Sequence, residues 1–153
     1  MVVGRRSVVQ RVEKAGVIIG HKRISEIGKG LLVFLGIERG DREDDAEYLS
    51  EKISNLRIFE DKHGKMNLSL MDIGGKMMVV SQFTLLGDCR RGRRPSFTEA
   101  ENPDRARMLC DYFIQTTRNR IGEVAQGEFQ ATMSIELVNS GPVTMLLDTR
   151  RRL

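Results

Sequence analysis

The chain has few residues of the kinds that build metal sites, disulfide scaffolds and base-stacking surfaces. Its 153 residues include two cysteines, two histidines, six phenylalanines, two tyrosines and no tryptophan. Two cysteines cannot make a disulfide framework, and they fit a reducing compartment. A structural zinc site needs paired ligands at short spacing, whereas His21, His63, Cys89 and Cys110 stand far apart in the sequence. We therefore expect no metal, no other cofactor and no aromatic platform for reading bases.

Sequence signatures of membrane insertion, secretion and phosphate-loop chemistry are also missing. No apolar run reaches the roughly 20 residues that cross a bilayer, and the opening MVVGRRSVVQ lacks the apolar core of a signal peptide. Neither a P-loop, a GxGxxG motif nor a GxSxG elbow occurs. The sequence thus predicts a cytoplasmic protein with no membrane association.

The length suits one domain. A chain of this size buries about 68–70% of its unfolded surface, so a hydrophobic core can form without disulfide bonds or a bound metal. No internal repeat, low-complexity segment or linker interrupts the sequence. We expect a single domain over residues 1–153, with residues 148–153 as a flexible basic tail.

The positive charge is concentrated in one place. The formal net charge is +4, and every cation after Lys76 is an arginine. Four of these arginines surround Gly92, namely Arg90, Arg91, Arg93 and Arg94. Guanidinium groups match phosphate oxygens, so the cluster can hold a nucleic-acid backbone. The other interpretation is a solvated loop balanced by acidic neighbours such as Asp88, and the sequence leaves both open.

Hydrophobic periodicity predicts strands around two helices, which is an α/β domain. Gly30–Ile37 is short and almost wholly apolar, as a strand buried on both faces should be. Met77–Leu86 is the longest strand candidate. The other predicted strands and hairpins are Ser7–Val12, a hairpin from Val17 to Ile24 that turns at Gly20–Lys22, two segments flanking a turn at Asp61–Gly64, Phe129–Val138 and Val143–Leu147.

Both predicted helices have recognisable starts. Asp41 is the expected cap of the first, followed by three acidic residues that suit a helix N-terminus. Asn102 is the expected cap of the second, with Pro103 at the first helical position. The apolar stripe of the second helix is Ala106, Leu109, Cys110, Phe113 and Ile114. Cys110 is therefore expected in the core rather than in chemistry.

Two segments place polar or glycine residues where a plain strand would avoid them, and such places often mark sites. The first is Ser81-Gln82-Phe83-Thr84 inside the apolar strand; alternation puts Gln82 and Thr84 on one face. Each buried polar group there costs about 1–3 kcal/mol if unpaired, so the segment is either a structural hydrogen-bond network or a site. The second is residues 139–144, NSGPVT, a predicted turn between the last two strands.

Several motifs in order make the chain similar to the D-aminoacyl-tRNA deacylases. The shared stretches are VVQRV, GKGLLVFLGIERGD, NLRIFED, GKMNLS, VVSQFTL, GRRPSF and NSGPVT. They cover essentially the whole chain, and the two unusual segments match the two signature motifs of the family. The resemblance implies a three-layer β/β/α deacylase fold with barrel-like, mostly antiparallel sheets and two main helices. It also implies a homodimer with active sites at the subunit interface.

The family pattern assigns roles by position. Ser81, Gln82, Phe83 and Thr84 are implied to line the aminoacyl-ester pocket, with the Phe83 and Thr84 amides facing the developing oxyanion. Gly141 and Pro142, expected to be joined by a cis bond, are implied to enter the partner's pocket and exclude L-amino acids. Arg11 and Asn139 are implied to support that loop. The arginine cluster is then expected beside the acceptor stem of the tRNA.

The implied reaction is hydrolysis of D-aminoacyl-tRNA, and of mischarged glycyl-tRNA, to free tRNA and amino acid. Neither histidine has a companion in sequence, and no base is recognisable beside Thr84. The resemblance implies that the 2′-hydroxyl of the terminal adenosine assists water attack, and the shortage of catalytic side chains favours the same expectation. Two alternatives remain: an editing domain acting on an L-aminoacyl-tRNA, and a non-catalytic nucleic-acid-binding module of the same fold.

Overall fold

The computed structural model describes residues 5–150 as a barrel-like sheet with helices on one side. Its strands are β1 (Arg5–Ile19), β2 (Lys22–Ile27), β3 (Gly30–Ile37), β4 (Phe59–Glu60), β5 (Met66–Leu68), β6 (Lys76–Ser81), β7 (Val124–Gln126) and β8 (Ser134–Asp148). Its helices are α1 (Glu43–Ser54), the single turn α2 (Leu70–Ile73) and α3 (Pro103–Ile121), with a 3-10 turn at Phe83–Leu86. The class is α/β with two main helices, as predicted.

The long strand β1 organises the sheet. Its first half pairs with β3 and its second half with β2, while β8 pairs antiparallel with both halves. Beyond β3 the order continues through β6 and β7, and these two pairings are parallel. Because the β1, β2, β3 and β8 pairings are antiparallel, the sheet is mostly antiparallel, as expected.

Strand β3 is buried on both faces because the curved sheet covers one of them and the helices cover the other. Leu31, Val33 and Leu35 of β3 pack in one core cluster with the apolar sides of α1 and α3. Leu32 between them packs in a second cluster inside the curved sheet, with Val12 and Met78. A strand buried on both faces has a continuous apolar sequence. Helices, inner sheet and folded-over strands therefore form successive layers around two cores.

Two predicted strand boundaries are wrong, and in each case strand pairing decides the difference. The first strand does not stop at Val12 but continues to Ile19, because β8 supplies a partner along its whole length. The predicted Met77–Leu86 strand stops at Ser81, where a 3-10 turn begins. Gln82 and Thr84 are therefore not alternate residues of one strand face.

The last two predicted strands form one strand, β8, so the NSGPVT segment is not a hairpin turn. The chain passes through it and keeps pairing with β1 on both sides. The short strand β7 and helix α2 were not predicted, since two to four residues carry too little periodicity.

The predicted helix cap at Asp41 is also wrong, whereas Asn102 is confirmed as a cap. The Asp41 carboxylate accepts from the Glu38 amide at 2.8 Å, and α1 begins one residue after Arg42. The Asn102 side chain accepts from the Arg105 amide at 3.0 Å, with Pro103 first in α3. Its predicted apolar stripe, including Cys110, is buried.

The C-terminal end is partly anchored. Arg150 donates to the Glu38 carboxylate at 3.2 Å and to the Arg39 carbonyl at 3.3 Å. Residues 151–153 of the predicted basic tail lie outside the described residues. Within residues 5–150, neither long helix has the apolar length that a bilayer crossing requires.

Candidate active site

The segment after β6 turns sharply across the end of β3. The Gln82 amide donates to the Leu35 carbonyl at 2.8 Å, and the chain then enters the Phe83–Leu86 turn. Gly36 makes this approach possible, because a Cβ there would lie 2.5 Å from Leu86 Cδ2 and 3.2 Å from the Gln82 oxygen. The turn therefore packs over Gly36, and a backbone hydrogen bond to β3 fixes Gln82, the residue before it.

The turn presents backbone donors rather than a buried polar side chain. Phe83 and Thr84 open the 3-10 turn, so their N–H groups come before the first intrahelical acceptor. Among the hydrogen bonds of residues 5–150, none has either amide as donor. Thr84 is exposed, and its hydroxyl accepts from Gln82 Nε2 at 3.0 Å. The site thus offers two adjacent amide donors beside an exposed face.

Phe83 gives this face an aromatic wall. Its side chain is 59% exposed and meets Phe97 edge to face, with ring centroids 5.1 Å apart. An exposed aromatic pair next to free amides is suited to contact with the apolar surface of a ligand. Phe97 comes from the loop that follows the arginine cluster, and its sequence gave no signal of this contact.

Both histidines lie in other turns of the fold, whereas Asp88, Cys89 and Glu99 line a cavity that adjoins the amide turn at Leu86. His21 falls in the turn between β1 and β2, and His63 in the turn between β4 and β5, both in the turns where we predicted them. Cys110 is buried in α3 and Cys89 is exposed. Within the described part of the chain, no three His, Cys, Asp or Glu residues are grouped as metal ligands.

The second motif is a bulge in β8. Between the pairs Gln10–Thr144 and Val12–Asn139, one β1 residue faces four β8 residues, and these four are left out of the ladder, with Val143 buried in the core. Gly141 has φ +116°, a conformation that favours glycine. The Gly141–Pro142 peptide bond is cis, and both residues are exposed. The bulge therefore carries its Gly-Pro tip outward from the sheet.

Arg11 is the β1 residue facing the bulge, and it is only 6% exposed. Its guanidinium donates to the Ser140 carbonyl at 3.2 Å and to the Ile58 carbonyl at 2.8 Å, and lies 3.5 Å from the Glu60 carboxylate. A Cβ on Gly141 would come within 2.7 Å of Arg11 Nη2. Arg11 therefore ties the bulge to the loop before β4.

Polar side chains close the bulge at both ends. Asn139 Oδ1 accepts from the Val143 amide at 3.1 Å, and Asn139 Nδ2 donates to Thr144 Oγ1 at 3.1 Å. The Ser140 hydroxyl donates to Glu13 at 2.8 Å. Sequence reasoning missed Glu13, Ile58 and Glu60, because their contacts depend on which strands meet at Arg11 and leave no local pattern.

The two motifs lie apart within one chain. The Phe83–Leu86 turn sits at the level of Arg6, whereas the bulge faces Arg11 on the opposite side of β1. Five residues along a strand amount to about 16 Å. Within one copy, the Gly-Pro tip and the turn are therefore at different levels of β1 and on opposite sides of it.

The arginine cluster is a loop closed by a backbone pair. Asp88 and Ser96 exchange hydrogen bonds of 2.7 and 3.0 Å, and residues 89–95 form the loop between them. The Arg90 guanidinium donates two hydrogen bonds to the Asp88 carboxylate, at 2.9 and 2.8 Å, and lowers the pKa of that carboxyl. All four arginines are exposed, including Arg90, whose side chain is 88% exposed despite this pair. The acidic-neighbour interpretation thus holds for Arg90, and an exposed cationic patch remains.

The barrel-like fold, the turn of free amides and the Gly-Pro bulge together define a protein of the deacylase fold class. A family model described as D-Tyr-tRNA(Tyr) deacylase matches residues 8–148, which includes both motifs. The chain therefore belongs to the D-Tyr-tRNA(Tyr) deacylase family.

Individual relatives agree with this assignment. A D-aminoacyl-tRNA deacylase of Syntrophus aciditrophicus (strain SB) is 62% identical over 95% of this chain and 98% of its own. A solved structure titled "c-Myc DNA Unwinding Element Binding Protein" has a TM-score of 0.89 at 39% identity, covering 93% of this chain and 97% of that one. Another, titled "Structural Analysis of a probable eukaryotic D-amino acid tRNA deacylase", has a TM-score of 0.85 at 17% identity over 95% of this chain and all of that one, which supports the fold.

Proposed function

We propose that this chain hydrolyses the ester bond of D-aminoacyl-tRNA, releasing free tRNA and the D-amino acid. The observation that carries the proposal is family membership over residues 8–148, with both signature segments present and exposed. The activity is a proofreading step that keeps D-amino acids out of translation, and we place it in the cytoplasm. Mischarged glycyl-tRNA is a second substrate, since glycine has no side chain to exclude.

Ester hydrolysis needs an acceptor for the negative charge on the carbonyl oxygen. We assign this role to the Phe83 and Thr84 amides, which open the turn without an internal acceptor. Removing one such donor typically lowers the rate by about 10²–10³-fold. Ser81 and Gln82 lead the chain into this turn, and Gln82 holds the Thr84 hydroxyl.

Proton transfer is the role for which the chain offers no evident side chain. We assign it to the 2′-hydroxyl of the terminal adenosine, which lies next to the 3′-ester in the substrate itself. In that scheme water attacks the carbonyl carbon, the 3′-oxygen leaves with a proton, and the RNA hydroxyl relays it. The protein supplies position and electrostatic stabilisation.

Selection of the D-isomer is assigned to the tip of the bulge. Gly141 and Pro142 are exposed, and hydrogen bonds fix the residues on either side of them. Arg11 donates to the Ser140 carbonyl, and Asn139 accepts from the Val143 amide. Carbonyl oxygens on a fixed tip exclude a side chain that projects toward them, so specificity comes from rejecting the L-isomer.

The separation of the two motifs within one chain supports a homodimer. The tip and the turn of one copy are about 16 Å apart along β1, so we assign the tip to the turn of a second copy. Sedimentation of the purified protein at micromolar concentration tests this step. A dimer is expected, and an active monomer would overturn the assignment of the tip to the partner's site.

Binding of the tRNA backbone is assigned to the arginine loop. All four arginines are exposed, and Arg90 alone is shown paired with the Asp88 carboxylate. The loop follows the amide turn after two residues, so phosphates near the aminoacylated 3′ end are within its reach. Arg90 is expected to contribute less than the other three.

A second candidate function is nucleic-acid binding without hydrolysis. The solved relative titled as a DNA-binding protein favours it, together with the exposed arginines. The third possibility, an editing domain acting on L-aminoacyl-tRNA, has the same fold and requires a tip that tolerates an L side chain.

One assay separates these three functions. Catalytic amounts of the protein are incubated with D-tyrosyl-tRNA, L-tyrosyl-tRNA and glycyl-tRNA, and the remaining ester is followed over time. We expect loss of the D- and glycyl esters while the L-ester decays at its uncatalysed rate. Hydrolysis of none would favour the binding module, and hydrolysis of the L-ester would favour the L-editing domain.

A further inference from the structure

Arg6 reaches from β1 to the far end of the amide turn. Arg6 Nη1 donates to the Leu85 carbonyl at 3.0 Å, across 79 residues of sequence. Leu85 lies in the last part of the 3-10 turn, where carbonyls have no intrahelical partner. A cation at this end of a helical turn meets the negative end of the local dipoles.

The contact is built into the sheet. Arg6 pairs directly with Gly36 of β3, so the arginine side chain and the missing glycine side chain lie on one face. Gly36 leaves the space into which Leu85 and Leu86 pack. The Arg6 side chain extends over the same face to the Leu85 carbonyl. The cross-strand pair therefore has two roles: Gly36 leaves space for the turn, and Arg6 hydrogen-bonds to it.

The arginine itself is held in place. Its side chain is 24% exposed, and Arg6 Nε lies 3.9 Å from the carboxylate of Asp148, which is fully buried. It also lines a cavity of about 410 Å³ together with Leu86, Gly87 and Arg90. Arg6 therefore connects the end of β8 with the amide turn, and it lines a cavity beside the start of the arginine loop.

Few other hydrogen bonds fix the turn. Its first residue is fixed by the bond from the Gln82 amide to the Leu35 carbonyl, and its own bonds from Leu85 to Gln82 and from Gly87 to Thr84 are 3.3 and 3.0 Å. The Phe83 and Thr84 amides lie between the Leu35 attachment and the Arg6 attachment. Losing Arg6 would leave the packing of Leu86 over Gly36 but remove the side-chain hydrogen bond that fixes the carbonyl at this end of the segment carrying both donors.

We propose that Arg6 is a positioning residue for ester hydrolysis, holding the amides of Phe83 and Thr84 where the oxyanion forms. This inference rests on the proposed function of those amides. Arg6 does not touch the substrate, and it acts through the Leu85 carbonyl. Displacing a preorganised donor by even 1 Å lowers rates by about 10²-fold.

The test compares Arg6→Met, Arg6→Lys and the control Arg23→Met in single-turnover hydrolysis of D-tyrosyl-tRNA. Arg23 is an exposed β2 arginine paired with Glu136, remote from the turn. Arg6→Met is expected to lower the rate constant by about 10–100-fold with an unchanged half-saturating concentration. Arg6→Lys, which keeps a cationic donor, should recover at least half of this loss on a logarithmic scale, and Arg23→Met should match wild type.

The outcomes separate the inference from the proposed function. An inactive wild-type protein would refute the proposed function itself. An active wild type with a fully active, folded Arg6→Met variant would overturn only the role of Arg6. A higher half-saturating concentration with an unchanged rate constant would make Arg6 an RNA contact instead. If thermal melting shows that Arg6→Met is unfolded, the folded Arg6→Lys variant decides: a lower rate constant with an unchanged half-saturating concentration supports the proposal, and a wild-type rate constant overturns it.

Discussion

Arg11→Met is the substitution whose consequences follow most fully from the structure. Arg11 is 6% exposed and donates to the carbonyls of Ser140 and Ile58. Methionine has similar length and no donor, so both carbonyls lose a charged partner. Hydrogen bonds to charged groups contribute about 1.5–3 kcal/mol each. Because the Ser140 carbonyl can regain water, we expect a total loss of about 2–4 kcal/mol.

That loss should be visible in thermal melting. For a domain of about 150 residues, 1 kcal/mol shifts the melting temperature by about 2–4 °C. We therefore expect Arg11→Met to melt about 5–15 °C below wild type. The matched control is Arg23→Met, which breaks an exposed pair with Glu136 and should shift melting by no more than about 3 °C.

The same variant tests the selective role of the bulge. With Ser140 released, the Gly141–Pro142 tip loses its fixed position, and its exclusion of L side chains weakens. We expect the ratio of D- to L-tyrosyl-tRNA hydrolysis to fall at least about tenfold, which corresponds to 1.4 kcal/mol. The reasoning is refuted if Arg11→Met melts early as expected but keeps the wild-type ratio, since the tip would then not depend on its anchor.

Three further predictions follow from the turn and the arginine loop. Thr84→Pro removes one amide donor and should lower the rate of D-tyrosyl-tRNA hydrolysis by about 10²–10³-fold. Thr84→Ala keeps the donor and should retain most activity. Equal losses of rate in the two variants would contradict the role of the amide. Arg91→Gln should weaken tRNA binding and reduce the slope of log affinity against log salt by about 0.7–0.9, and an unchanged slope would exclude a phosphate contact. Asp88→Asn should increase the same slope, because it frees Arg90 to contact the RNA. Since Arg90 lowers the pKa of Asp88, the carboxylate stays ionised and paired with Arg90 from pH 7 down past the ordinary aspartate pKa near 4. Acid breaks this pair only below that range, so at neutral pH the substitution is the way to release Arg90. A slope unchanged by Asp88→Asn would show that Arg90 does not face the RNA.

Local signals in the sequence predicted elements whose burial or capping is local. Gly30–Ile37 is a strand with the predicted bounds, because burial on both faces leaves an uninterrupted apolar run. The second helix begins with Asn102 and Pro103 as expected, since a cap is a contact between near neighbours.

The errors arise where distant strands decide the local structure. Apolar alternation continues beyond Ser81, but β6 ends there because the chain crosses over Gly36 of β3. The NSGPVT composition is typical of a turn, yet β1 pairs with β8 on both sides of it and converts it into a bulge. The site residues of the two motifs were found by family resemblance. Their anchors, Arg6 and the Ile58 carbonyl, come from pairings that no window of sequence contains.

In substrate-assisted hydrolysis the protein supplies position and the RNA supplies the hydroxyl that moves the proton. This scheme is tested by comparing single-turnover hydrolysis of D-tyrosyl-tRNA ending in adenosine with that of the same 3′-ester ending in 2′-deoxyadenosine, with binding measured in parallel. We expect equal binding and a loss of hydrolysis of at least about 10²-fold, the usual contribution of general acid–base catalysis. Unchanged hydrolysis of the deoxy substrate, together with a folded and inactive Thr84→Ala variant that still binds tRNA, would refute substrate assistance and make Thr84 the nucleophile.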